Sequence, residues 1–179
     1  HTALILDEVE DVSLNEAIAT GKNTLLCNNS EFSVSNIVPS TILDRDNSKK
    51  NVNVISDDPC AVLNEIRIKN RERIIIGHLN INYLENKFEP LVSLVKDRID
   101  LFLLSETKVD SSFPPGQFIM EGYSSFRKDR SRRGGGLLLF IRDGIVCKEI
   151  KPPNLPTDIE CLFIEMRLRN KKYVIVGGY

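Results

Sequence analysis

Two short apolar runs separated by one amphipathic helical period constrain this chain more than any other feature. Residues 73–81 include three consecutive isoleucines, Ile74, Ile75 and Ile76, and residues 99–105 read IDLFLLS. Runs this short and this continuously apolar suit strands buried on both faces. Between them Phe88, Leu91, Val92, Val95 and Ile99 fall at i, i+3, i+4, i+7 and i+11. That spacing makes one stripe facing a sheet, with Glu89, Lys96 and Asp97 outside it. Pro90 is tolerated without a lost hydrogen bond only in a first turn, so the helix is predicted to start near Asn86 or Lys87, with Asn86 as its N-cap. Strand, helix and strand then make a right-handed parallel crossover whose strands end at the same sheet edge. Asn80 and Glu106 become neighbours there.

Ligand-binding and catalytic groups of open α/β sheets gather outside the carboxyl ends of strands. An amide and a carboxylate at such an edge are therefore candidates for holding a phosphate oxygen and a metal ion. The same spacing is met by a plainer arrangement, in which Asn80 and Asn82 satisfy turn backbone and Glu106 caps a strand.

The charge of the chain is unevenly spread. Residues 1–70 carry 11 acidic and 6 basic side chains, a net of −5, and residues 71–179 carry 14 and 18, a net of +4. A mildly basic C-terminal part is compatible with a polyanionic partner, but is far from the footprint of a dedicated nucleic-acid clamp. Cys27, Cys60, Cys147 and Cys161 form no CxxC pair and have no histidine cluster nearby, which supports neither a zinc site nor a disulfide framework and suits a reducing, intracellular compartment. No apolar run approaches the length that spans a bilayer, and residues 1–20 lack a basic region followed by an apolar one, so neither membrane insertion nor secretion is indicated. A first residue other than Met, His1, suggests a piece of something longer.

Residues 1–60 hold eight asparagines and the polar tract DRDNSKKN, and read as a disordered, acidic, Asn-rich linker. Short apolar clusters such as residues 3–6 have too little apolar surface to order unless they dock elsewhere. Residues 60–69 suit a short lead-in helix. After Glu106, KVDSSFPPGQF marks a long loop passing over the Asn80–Glu106 edge, with a short strand expected at residues 118–119. Residues 123–126 then lead into RKDRSRRGGG, where Arg127, Lys128, Arg130, Arg132 and Arg133 stand against one acid, Asp129. Such a loop is suited either to contacting phosphates or to remaining a solvated turn. Its three glycines make no P-loop, because neither GK[ST] nor a helix follows. Residues 137–142, a turn at Asp143-Gly144 and residues 145–150 read as one hairpin, and residues 161–168 and 173–178 as a second. A βαβ unit followed by antiparallel strands is an α+β arrangement of mixed sheets packed face to face.

The motifs HLNIN (78–82), SET (105–107), RGGGLLLFIR (133–142) and VGGY (176–179), in that order and spacing, resemble the endonuclease/exonuclease/phosphatase superfamily. Residues 61–179 are more closely similar to the N-terminal endonuclease of LINE-type (non-LTR, jockey-like) retrotransposon polyproteins, in which a reverse transcriptase follows. The resemblance implies the front half of a four-layered α/β/β/α sandwich, with Asn80 ending the first strand, Glu106 as Mg²⁺ ligand and Tyr179 near the scissile phosphate. It implies hydrolysis of DNA phosphodiesters in the nucleus, nicking target DNA to prime reverse transcription, with Mg²⁺ as cofactor, no small-molecule cofactor and no membrane. The family's Asp-x-Asn pair and closing Asp-His have no counterpart up to Tyr179, so the resemblance further implies a C-terminally incomplete and inactive domain. Two other readings are a superfamily phosphodiesterase acting on phosphoinositides or sphingolipids, and a non-catalytic relic. The segments ETKVDSSFP and RGGGLLLFIR favour the nuclease.

Overall fold

A computed structural model describes residues 58–151 and 160–178 in full, together with the backbone of three strands within residues 1–57. In chain order the strands are β1 (Thr2–Asp7), β2 (Lys22–Cys27), β3 (Ser30–Ile37), β4 (Ile74–Asn80), β5 (Leu101–Ser105), β6 (Tyr123–Lys128), β7 (Leu137–Arg142), β8 (Val146–Glu149), β9 (Cys161–Leu168) and β10 (Lys171–Gly178). Two helices, α1 (Pro59–Lys69) and α2 (Phe88–Val95), flank β4. The fold is α+β with two sheets, one of order β2-β3-β4-β5-β7-β6 and one of order β1-β10-β9-β8.

The apolar runs become strands because they are covered on both sides. Along β5, Phe102 and Leu104 join the cluster built with Leu63, Leu91 and Val95 of the helices, whereas Leu101 and Leu103 join Ile164, Met166 and Ile175 of the second sheet. Leu138 and Phe140 of β7 likewise face the helices, while Leu137, Leu139 and Ile141 face the second sheet. Among the described residues the result is three layers: helices, six-stranded sheet, four-stranded sheet. Gly77 lets β4 and β5 lie this close, because a Cβ there would stand 2.8 Å from the Phe102 ring and 2.9 Å from Ile99.

The crossover is as expected, with β4 and β5 parallel and Asn80 opposite Ser105. Its helix starts later than the spacing predicts. A 3₁₀ turn at Glu85–Lys87 precedes α2, so Asn86 lies within that turn, and Lys87 holds the cap position without a side-chain capping bond, its Nζ donating instead to the Ile81 and Asn82 carbonyls at 2.6 and 2.9 Å. The fully buried Leu84 fixes this, since its amide donates to the Thr107 carbonyl at 3.0 Å and its carbonyl accepts the Lys87 amide at 2.9 Å. α2 ends at Val95, and Ile99 reaches the same core from beyond a left-handed Asp97 (φ 65°). The lead-in helix forms as α1, capped by the Asp58 carboxylate, which accepts the Cys60 amide at 2.9 Å.

Two other expectations are corrected. Phe118 and Ile119 form no strand: Phe118 is buried against Phe88 and Phe113, with ring centroids 5.4 and 5.7 Å apart, so packing orders that loop without a ladder. Residues 137–150 are not a hairpin either. β7 is already bonded on both edges, to β5 and β6, so the turn at Asp143-Gly144 delivers β8 to β9 in the other sheet. The second hairpin, β9–β10, is present and turns through Arg169 and Asn170, both left-handed (φ 46° and 68°), as a type I′ turn requires. Within the segment whose composition reads as linker, β1 pairs with β10 and β3 with β4, each completing a ladder that the folded strands leave open. Docking of this kind is the condition under which residues 3–6 were expected to order. The rest of residues 1–57, the side chain of Cys27 and the proline-rich residues 152–159 lie outside the described residues. No described helix is long and apolar enough to cross a membrane.

Candidate active site

The ladder between β4 and β5 continues past their ends. The amides of Ile81, Tyr83 and Leu84 donate to the carbonyls of Ser105, Glu106 and Thr107 at 3.0, 2.9 and 3.0 Å. From the other side the amides of Thr107 and Lys108 donate to Gly136 and Gly135 at 3.3 and 2.9 Å. Residues 105–108 are thus clasped between the β4 exit and the glycine loop. Four non-glycine residues here are left-handed: Asn82 (φ 42°), Tyr83 (84°), Glu106 (57°) and Lys108 (53°). Each costs on the order of 1 kcal/mol, and such strain collects where a fold holds side chains for a purpose.

Glu106 is half-buried at this edge, and its Oε2 accepts the Gly135 amide at 3.2 Å. Among the described residues it forms no ion pair. Most other shielded carboxylates are compensated by cations: Asp100 by Arg67 and Arg142, Glu160 by Arg130, Glu165 by Lys148 and Lys172, and Asp129 by Arg127, whereas Asp110 accepts the Ser112 amide at 3.0 Å and the Ser112 hydroxyl. Asn80 Oδ1 accepts the Asn82 amide at 3.2 Å, which is the turn-satisfying role the plainer reading assigns to it and leaves its Nδ2 as the outward donor. Asn82 Oδ1 accepts from Lys108 Nζ at 2.6 Å. His78 Nε2 lies 3.1 Å from Ser105 Oγ, further back in the strands.

The basic segment is only partly a loop. Arg127 and Lys128 belong to β6, and Arg127 is occupied by the carbonyls of Phe113 and Pro114 at 3.1 and 3.2 Å and by Asp129 at 2.8 Å. Arg132 reaches Tyr83 Oη and Glu85, each at 3.2 Å, and lies over the Phe113 ring. Arg130 sits 3.6 Å from Glu160. Lys128 and Arg133 are exposed and form no ion pair among the described residues. Tyr179 lies outside the described residues, and Gly178, opposite Cys161, is the last before it. Burial pushes the Cys147 and Cys161 thiols up, which lowers their thiolate fraction near neutral pH.

Sequence reasoning missed Glu160 and Thr107. Glu160 is buried and its Oε1 accepts the Gly136 amide at 3.1 Å, so adjacent amides of one glycine loop grip Glu106 and Glu160. The only local signal is an acid directly before an alternating strand, and its partner is 24 residues away. Thr107 is buried, and its Oγ1 has no hydrogen-bond partner. A shape-matched Thr107→Val change should therefore be neutral or stabilise the fold by up to about 1 kcal/mol. A shift of the urea midpoint downward by more than that would show the hydroxyl to be satisfied after all.

Compared with known proteins, the chain matches no family model and no curated protein.

Proposed function

We propose that the edge formed by Asn80, Glu106 and the Gly135–Gly136 loop belongs to a Mg²⁺-dependent endonuclease that cleaves DNA phosphodiesters, of the retrotransposon type that nicks a target to prime reverse transcription. The observation that carries this reading is the state of Glu106. It is a half-buried carboxylate, held by a backbone amide, in strained backbone, with no ion pair among the described residues. Hard divalent cations take oxygen ligands of this kind, and a carboxylate poised without a counter-charge fits one. Bound Mg²⁺ would supply Lewis-acid polarisation of the phosphate and neutralise charge on the leaving oxygen. Asn80 Nδ2 would orient a phosphate oxygen, and Lys128 and Arg133 would attract the backbone of the strand. Tyr179 near the scissile phosphate, completion to a four-layered α/β/β/α sandwich, and work on chromosomal DNA in the nucleus all follow from the same reading.

A single carboxylate leaves most of a cation's shell to water, so binding should be weak. Titrating Mn²⁺ into the chain should broaden the amide resonances of Gly135 and residues 80–82, and Glu106→Gln should abolish that broadening. Broadening that survives Glu106→Gln would sink the assignment. Nicking of supercoiled plasmid by a protein that carries this chain, and its loss in Glu106→Ala, is the corresponding activity test.

A further inference from the structure

We propose that the cleft between the start of β4 and the β9–β10 hairpin is a second binding site, which takes an organic phosphate of nucleotide size. It lies at the opposite end of β4 from Asn80, about 20 Å away at the rise of a strand, and does not depend on the nuclease reading. Its volume of about 320 Å³ is within the range of small-ligand sites. Five cationic side chains line it, Arg67, Arg71, Arg73, Arg169 and Lys171, against the carboxylates Glu72 and Asp100, a net of +3.

Those carboxylates do not neutralise the cleft. Asp100 is already paired with Arg67 at 2.7 Å and, from outside the cleft, with Arg142 at 3.0 Å. Glu72 is almost fully exposed and 3.7 Å from Arg169, so it is screened by water. Arg71 and Arg73 are exposed and form no ion pair among the described residues. These two guanidinium forks, without counter-charge of their own in an already cationic cleft, are repelled by their neighbours, and a phosphate that accepts two parallel N–H bonds relieves this. The remaining walls are apolar, from Ile74 and Leu168, with the buried Tyr173 ring beside them. An inorganic anion would leave those walls wet. A ligand with a flat or apolar body behind its phosphates covers both surfaces, which selects a nucleotide-like molecule over a simple ion.

The test is calorimetric titration of the full chain with ADP, adenosine and inorganic phosphate, in EDTA so that no divalent ion contributes at Glu106. ADP is expected to bind at least about tenfold more tightly than either fragment. The double variant Arg71→Ala/Arg73→Ala should weaken ADP by about 10- to 100-fold, the range for loss of charge-assisted hydrogen bonds. Arg71→Lys/Arg73→Lys, which keeps the charge without the fork, should recover part of the affinity, and Lys151→Ala should leave it unchanged. Equal ADP affinity in wild type and the double alanine variant would overturn the proposal. So would phosphate binding as tightly as ADP, which would leave a surface anion site only.

Discussion

Gly136→Ala is expected to destabilise the fold by about 3–5 kcal/mol in urea denaturation, combining a left-handed backbone with overpacking in a buried site. Gly136 has φ 91°, and a Cβ there would stand 2.3 Å from Thr107 Oγ1, a side chain with no room to retreat. The steric part can be separated from the backbone part. Adding Thr107→Ala should recover about 1–2 kcal/mol, because the next contacts, the Lys108 backbone nitrogen and the Thr107 Cβ, are at 3.5 and 3.6 Å, ordinary van der Waals distances. A Gly136→Ala protein within about 1 kcal/mol of wild type would mean that the loop does not hold this conformation.

Asp100→Ala should cost about 2–4 kcal/mol, below the range for fully buried ion pairs because both of its guanidinium partners are partly hydrated. Asp100 is buried at the entry to β5. Its Oδ2 accepts the Ile75 amide at 2.8 Å and pairs with Arg67, and its Oδ1 pairs with Arg142. Truncation strands a backbone donor of β4, removes the counter-charge of Arg67 and leaves Arg142 with only the more distant Asp97 at 3.7 Å. Asp100→Asn keeps an acceptor for Ile75 and should lose roughly half as much. Urea midpoints at constant slope would measure both, and equal losses would show that the charge contributes nothing.

The β4–α2–β5 unit was legible because its signals are local and periodic: three isoleucines, a stripe at helical spacing, and a proline confined to a first turn. The Asn80–Glu106 edge followed from the handedness and parallelism of that unit. What escaped depends on competition between distant segments. Nothing in residues 137–150 reveals that β7 has both edges taken, so a good turn dipeptide was read as a hairpin. Glu160 is legible only once the glycine loop is known to approach it, and the loop's path is set by the amides of Thr107 and Lys108. Ordering of Phe118 comes from two aromatic neighbours five and thirty residues earlier in the chain, at a site where local pattern suggested a strand.

The four-stranded sheet draws on both extremities of the chain: Thr2 lies opposite Gly178, whereas β2 to β7 all lie in the other sheet. On a ribosome, β1 therefore emerges before every other described strand and its partner β10 after them. The six-stranded sheet has all its strands available by residue 142 and can assemble during synthesis. The apolar face that it presents to the second sheet stays uncovered until β9 and β10 are released, and closure of β1 onto β10 spans more chain than any other pairing among the described strands, so it is expected to be a late and slow step.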